Sequence, residues 1–305
     1  MKKILSLTVL CLLVAGWAIA QDSTVAAEVK EAPKKKFTRT TFNSTRIINL
    51  QSTEIVSKGG LEFMVSHHFS NIWNKDAGSQ NLAQFFGINS GVARTYLSFA
   101  YSFTNQLSAG VALAGSSKYE GWIKAKLLRQ SSGPHSFPVT VTWFSLAHVN
   151  TATDPDNEFT YNRFAFANQL LIARKLSDRF SLELIPTWVH FNVVPYGINN
   201  SNEVFSLGIG GKYKVKSKLN LTFEYTRQLN MYENLISKSG TIVNYHPDLA
   251  SVGIEVNTGG HLFQFYIGST QESSIIDQLT RNNSSIKSGN LAFGFTINRT
   301  LSFNK

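Results

Sequence analysis

The sequence predicts an all-β fold, a closed antiparallel transmembrane β-barrel of about twelve strands. Three observations predict it. First, large apolar residues alternate with small or polar ones along most of the chain, as in Leu97, Phe99, Tyr101 and Phe103 against Ser98, Ala100 and Ser102. Second, the face opposite those apolar residues carries little charge, although a sheet with one face in water normally places charge there. Third, the connections between strands are short at one end and mostly long at the other, the asymmetry of a barrel with short periplasmic turns and longer extracellular loops.

The elements follow in order. Residues 1–20 read as a secretory signal peptide, with Lys2 and Lys3 as the basic start, Ile4 to Val14 as the apolar stretch and Ala18-Ile19-Ala20 before the cut. The single cysteine, Cys11, lies inside that stretch, so the exported chain is expected to have no thiol, and its formal charge falls from +10 to +8. Residues 21–44 are polar, contain Pro33 and the run Lys34-Lys35-Lys36, and read as a flexible periplasmic tail. A solvated linker explains that run better than a nucleic-acid patch, and no nucleic-acid partner is expected. Residues 45–60 mix Arg46 and Glu54 with Ile47, Ile48, Leu50, Ile55 and Val56. They suit neither lipid nor a free tail, and a plug or cap at the periplasmic mouth is expected, with Arg46 or Glu54 pairing with lumen charges such as Glu224 or Lys212.

The barrel proper is expected over 61–303. Its strands read as 61–69, 93–103, 107–115, 119–129, 137–148, 161–174, 180–193, 203–214, 219–229, 249–257, 261–269 and 289–299. In the ninth, Leu219, Leu221, Phe223 and Tyr225 alternate with Asn220, Thr222, Glu224 and Thr226; the apolar set is assigned to lipid and the other to the lumen. Short breaks such as Thr104-Asn105-Gln106 and Thr258-Gly259-Gly260 read as turns. The connections 70–92, 149–160, 194–202, 230–248 and 270–288 are long. The apolar bulk of 81–88 suggests that this segment folds inward or rests on the outer interface. The alternation continues to Leu301 and Phe303, and an aromatic near the end of the last strand resembles the insertion signal of bacterial outer-membrane proteins.

Composition agrees with this class. Charged residues make up 16% of the chain and aromatics 12%, against roughly 25% charged in typical soluble domains. The mean hydropathy of −0.09 looks soluble, but half the strand residues of such a barrel face inward and dilute the average. Past the N-terminal stretch no run approaches the roughly 20 apolar residues of a membrane helix, which excludes a helical membrane protein.

Three stretches, TRIINLQSTEIVSKGGLEFMVSHHF (45–69), FFGINS (85–90) and GSSKYEGWIKAKLLRQ (115–130), together resemble an uncharacterised family of outer-membrane β-barrel proteins common in Bacteroidota-type bacteria. The resemblance spans nearly all of the exported chain. It implies the fold and a place in the outer membrane of a Gram-negative cell, with outer-membrane lipid as a partner, and brings no catalytic residues.

Parity places Glu62, Arg94, Glu120, Lys124, Lys126, Glu183, Lys212, Glu224 and Glu255 on the lumen side. Two readings are open: mutual neutralisation inside a polar barrel, or a charged constriction that selects small solutes. His68-Phe69-Ser70-Asn71 has the spacing of the His-x-Ser pair of lipid-hydrolysing barrels, but Leu61, Phe63 and Val65 set the odd positions toward lipid, so His68 and Ser70 point inward, away from any lipid substrate. No catalytic residue is expected. The histidines are scattered without ligand spacing, and no metal or other cofactor is expected. The stretch Gly208 to Gly211 lies within a strand and reads as a thin lumen wall, not a phosphate loop. The leading function is an outer-membrane barrel that passes or binds a small solute through its lumen. The alternatives are a structural barrel without flux that docks a periplasmic protein, and a lipid-hydrolysing barrel enzyme.

Overall fold

A computed structural model of the chain describes residues 34–74, 78, 82, 93–152, 163–193, 201–230, 235–236, 242–243, 248–280, 282 and 289–303. The expected signal peptide, the first part of the tail and the apolar segment at 81–88, apart from Leu82, lie outside the described residues.

Twelve antiparallel strands close into one barrel in sequence order. They are β1 (Gly60–Trp73), β2 (Arg94–Ser102), β3 (Leu107–Ala114), β4 (Lys118–Leu128), β5 (Thr140–Asn150) and β6 (Phe164–Lys175). They continue as β7 (Phe180–Phe191), β8 (Glu203–Lys216), β9 (Leu219–Gln228), β10 (Leu249–Asn257), β11 (Leu262–Gly268) and β12 (Leu291–Ser302). The seam pairs β12 with β1, from Leu291 opposite Trp73 to Ser302 opposite Gly60. Closure leaves no edge, the condition for a sheet in hydrocarbon.

Period-two alternation sets what each side chain meets. Phe99, Tyr101, Val111, Ile123, Leu221 and Val252 are exposed on the outer wall, where Phe63 and Phe99 also pack with ring centroids 5.0 Å apart. Their neighbours Ser98, Thr222 and Glu224 are buried inside. Turns at 103–106, 176–179, 217–218 and 258–261 close one end, together with the longer 129–139 connection. The tightest sequence punctuation, Thr258-Gly259-Gly260, folds as expected: Gly259 takes a φ of 89° that a side chain would resist, and Thr258 N–H donates to the His261 carbonyl at 3.0 Å.

The tail ends sooner than its polarity suggests. Lys36–Phe37 pairs with Ser131–Ser132 at the short-turn end. Thr41 and Phe42, expected in the free tail, are buried. Phe42 is the physical reason: it joins an apolar cluster inside the barrel with Ile47, Leu50 and Leu171.

Candidate functional site

The space inside the barrel is occupied by the protein's own chain from both ends. From the short-turn end, residues 41–54 (TFNSTRIINLQSTE) enter and fold back on themselves. Ser52 N–H donates to Thr45 C=O at 2.9 Å and Ile47 N–H to Leu50 C=O at 2.8 Å, while Arg46 and Gln51 bridge, so the tip lies at Ile48–Asn49. The residue mix suits this place. Ile47 and Leu50 lie against Gly210 and Gly208 of β8; a Cβ on Gly210 would sit 2.4 Å from Ile47 Cδ1. The polar residues between them meet the inward charges of the wall.

Those inward charges are held one by one. Glu224 accepts from Asn49 N–H at 3.1 and 3.0 Å, from Leu50 N–H at 3.0 Å and from Asn49 Nδ2 at 2.7 Å. Lys124 Nζ donates to the carbonyls of Thr45, Ser52 and Glu54 at 3.0, 3.1 and 3.4 Å. Glu183 accepts from Thr53 N–H at 3.0 Å. Glu62 takes the Thr45 hydroxyl at 2.7 Å and Asn298 Nδ2 at 3.1 Å. Asn43 joins two more: its Nδ2 donates to Glu255 at 2.7 Å and its Oδ1 accepts from Lys212 at 3.1 Å. Lys126 pairs with Glu54 at 3.7 Å.

The expected partners of Arg46 and Glu54 are therefore corrected. Glu224 has its oxygens taken by backbone N–H groups, and Arg46 instead lies over the face of Tyr96, 4.0 Å from the ring centre. Glu54 turns back to accept Thr41 N–H at 2.7 Å and faces Lys126, not Lys212. Buried polar and charged groups need such partners, because an unmatched one costs its full desolvation.

From the opposite end, residues 269–280 dip in and form a short helix, α1 (Ile275–Thr280), all six residues buried. Here two further inward residues are engaged. Arg94 forms an ion pair with Glu272, and Ser274 Oγ donates to Glu120 at 2.6 Å, beside His148 at 3.4 Å from the same carboxylate. Lys118 pairs with Asp277 at 2.5 Å. Ile275, Ile276 and Leu279 join an apolar cluster with Phe144, Leu146, Val189, Phe191, Val204 and Leu249. The two inserted segments meet where Gln278 Nε2 donates to Asn49 Oδ1 at 3.4 Å.

All nine inward charges expected from parity thus contact inserted chain. Sequence reasoning missed the apolar half of the interior and the inserted helix. The signal was present: β5, β6 and β7 (TVTWFSLAHVN, FAFANQLLIARK, FSLELIPTWVHF) carry bulky apolar residues at both parities. Strands covered on both faces read that way.

His68 is buried, with Tyr266 Oη 2.9 Å from its Nδ1, and faces inward rather than toward lipid; a register shift between His68 and Asn71 interrupts the alternation at Ser70. Among the described residues no group of three or more His, Cys, Asp or Glu side chains is placed to hold a metal ion.

A family profile described as "Membrane bound beta barrel domain (DUF5777)" matches residues 42–301. Its span opens at Phe42, where the chain enters the barrel. Among solved structures, a NanC porin shares 10% identity and a TM-score of 0.47 over 80% of this chain and 100% of that one. A KdgM porin in complex with oligogalacturonate shares 9% identity and a TM-score of 0.43 over 80% and 99%. An outer membrane channel from Pseudomonas putida F1 shares 10% and 0.43 over 82% and 98%. No curated protein matches the chain.

Proposed function

The chain belongs to the membrane-bound β-barrel domain family DUF5777, and on that premise we propose that it is an outer-membrane barrel that passes or binds a small solute through its lumen, closed at rest by its own two inserted segments. The membrane is the outer membrane of a Gram-negative cell, of the Bacteroidota type that the sequence resemblance implies. Residues 41–56 act as a periplasmic plug and 269–280 as a second stop from outside. The protein is not an enzyme in this reading; His68 lies on the wrong side of the wall to meet lipid.

One observation carries the proposal. The strands themselves point charged and short side chains inward, Glu62, Lys124, Glu183, Lys212, Glu224 and Glu255, with Gly208 and Gly210 among them. A wall meant to be solid throughout would fill its centre with strand side chains of its own. This wall does so only in part, with bulky strand residues such as Phe144, Leu146 and Ile185; the rest is polar and is satisfied by a chain segment whose two ends emerge at one mouth. Water or a polar solute offers the same hydrogen bonds once that segment leaves.

The test is conductance in a planar bilayer. Because the two segments stand in series, deleting 41–56 alone is expected to raise conductance little, and deleting 41–56 while replacing 271–280 with a Gly-Ser linker is expected to give discrete open-channel steps. Heat-modifiable mobility on unboiled gels shows that each variant keeps its barrel. A folded double variant without steps favours the alternative of a structural barrel. The exposed N-terminal strand pairing at Lys36–Phe37 gives that alternative a place to dock a periplasmic protein.

A further inference from the structure

The short-turn rim carries a cleft that the lumen does not use. It has a volume of about 460 Å3 and lies between the Lys36–Phe37 strand, the turn at 104–106 and the end of β4. Its lining is of two kinds. Phe37, Leu127 and Leu128 supply apolar surface; Lys58, Lys126 and Arg129 supply positive charge. Among the described residues no acidic side chain lines it. Glu54 approaches Lys126 at 3.7 Å from the lumen side.

The cleft continues onto the outer wall. Leu127 is 58% exposed, and Ile123 and Leu107 beside it on β4 and β3 are exposed as well. Phe37 and Phe137 remain exposed at the rim, with cations on their faces. The Arg129 guanidinium lies 5.1 Å from the Phe37 ring centre, and Lys35 Nζ lies 5.4 Å from Phe37 and 4.8 Å from Phe137. Arg129 is also fixed by donating to the Thr38 carbonyl at 3.1 Å. Aromatic rings interleaved with long cationic side chains, at the level where an apolar wall ends, are matched to the boundary between acyl chains and headgroups.

We propose that this rim cleft binds one anionic glycerophospholipid, its phosphate between Lys58, Lys126 and Arg129 and its acyl chains along Leu127 and the outer wall. Charge complementarity selects an anionic headgroup over a zwitterionic one, and the apolar surface beside it selects a lipid over a free anion. The leaflet is the inner one if the barrel lies in the outer membrane as proposed above; the binding itself does not depend on that reading. Lys36, on the strand that forms one side of the cleft, and Lys34 and Lys35 just before it add to the same field.

Native mass spectrometry of the full chain, released from detergent after incubation with defined lipids, tests this. One phosphatidylglycerol per barrel is expected to be retained about tenfold better than phosphatidylcholine. The double variant Lys58→Gln/Arg129→Gln is expected to reduce phosphatidylglycerol to the phosphatidylcholine level. Both positions are exposed at the rim, and heat-modifiable mobility confirms that the variant is folded. Equal retention of the two lipids, or unchanged phosphatidylglycerol retention in the folded double variant, overturns the proposal. Glycerol 3-phosphate retained as well as the lipid makes this a site for a soluble anion and overturns the lipid reading, as does displacement of the lipid by an acidic peptide.

Discussion

The lower and upper halves of the lumen are filled by the same chain on different physical terms. Near the short-turn end, residues 41–54 bury Phe42, Ile47 and Leu50 and are held in addition by hydrogen bonds to buried charges, with Glu224 and Lys124 at the centre of two small cradles. Near the long-loop end, α1 is held chiefly by burial of Ile275, Ile276 and Leu279 and by ion pairs with partly exposed Arg94 and Lys118. Hydrogen bonds to charges are directional and fail abruptly when one partner is lost. Apolar contacts fail in proportion to the area removed. The lower half is therefore specified in position as well as in volume, and the upper mainly in volume.

Removing the centre of a cradle is the strongest way to break that contrast. Glu224→Ala strands the backbone N–H groups of Asn49 and Leu50, at roughly 1–3 kcal/mol each, and leaves the Asn49 amide only its bond to Ser251 Oγ. Protease cleavage within 41–56 in the folded barrel is expected to rise steeply, while 269–280 stays protected; equal protection of 41–56 in wild type and variant refutes the cradle. Next comes a change to the wall itself. Phe223→Arg faces lipid and is expected to cost the barrel about 2–4 kcal/mol, read as an earlier urea midpoint. The neighbouring Thr222→Arg points into the filled lumen. Its effect is expected on 41–56 rather than on the barrel, with cleavage in that segment rising and heat-modifiable mobility kept. The reverse order of damage shifts the register by one residue.

Ile276→Ala acts mainly on the upper half and is expected to cost about 2–4 kcal/mol, loosening α1 while the hydrogen-bonded residues 41–54 stay protected. Salt gives the smallest effect. Raising ionic strength to about 1 M shortens the screening length to roughly 3 Å, so the Arg94–Glu272 pair weakens while Glu224, buried with its partners, does not. Hydrogen exchange at 270–274 is expected to rise modestly, with that at Asn49 and Leu50 unchanged. A parallel rise in both places means that the two segments open together.

The wall was legible in the sequence because lipid on one side and a polar lumen on the other enforce a period of two, and a one-residue error would reverse every side chain. The strands from Arg94–Ser102 to Leu219–Gln228 stand within about three residues of where alternation puts them. The mixed polarity of 45–60 also set that stretch apart from both lipid and tail. Its partners were not legible. Arg46 lies over Tyr96, whose aromatic ring occupies an inward position that alternation alone marks only as the lumen side. The upper filling was harder still, since SSIIDQLT is too short for a helical period to stand out, and only the doubled apolar parity of β5–β7 pointed to a tenant inside.

Both ends of the 41–54 segment leave through one mouth, and this has a mechanical consequence. Tension applied to the chain at Arg39 from that side loads the contacts in sequence. Thr41 and Phe42 part from Glu54 first, then Asn43 from Glu255 and Lys212, then the Asn49–Leu50 tip from Glu224, and Ser52, Thr53 and Glu54 leave Lys124 and Glu183 last. Bonds loaded singly yield at a much smaller force than the same bonds sheared together. The freed stretch supplies about 50 Å of extended chain without a knot, a threaded loop or a broken strand pairing.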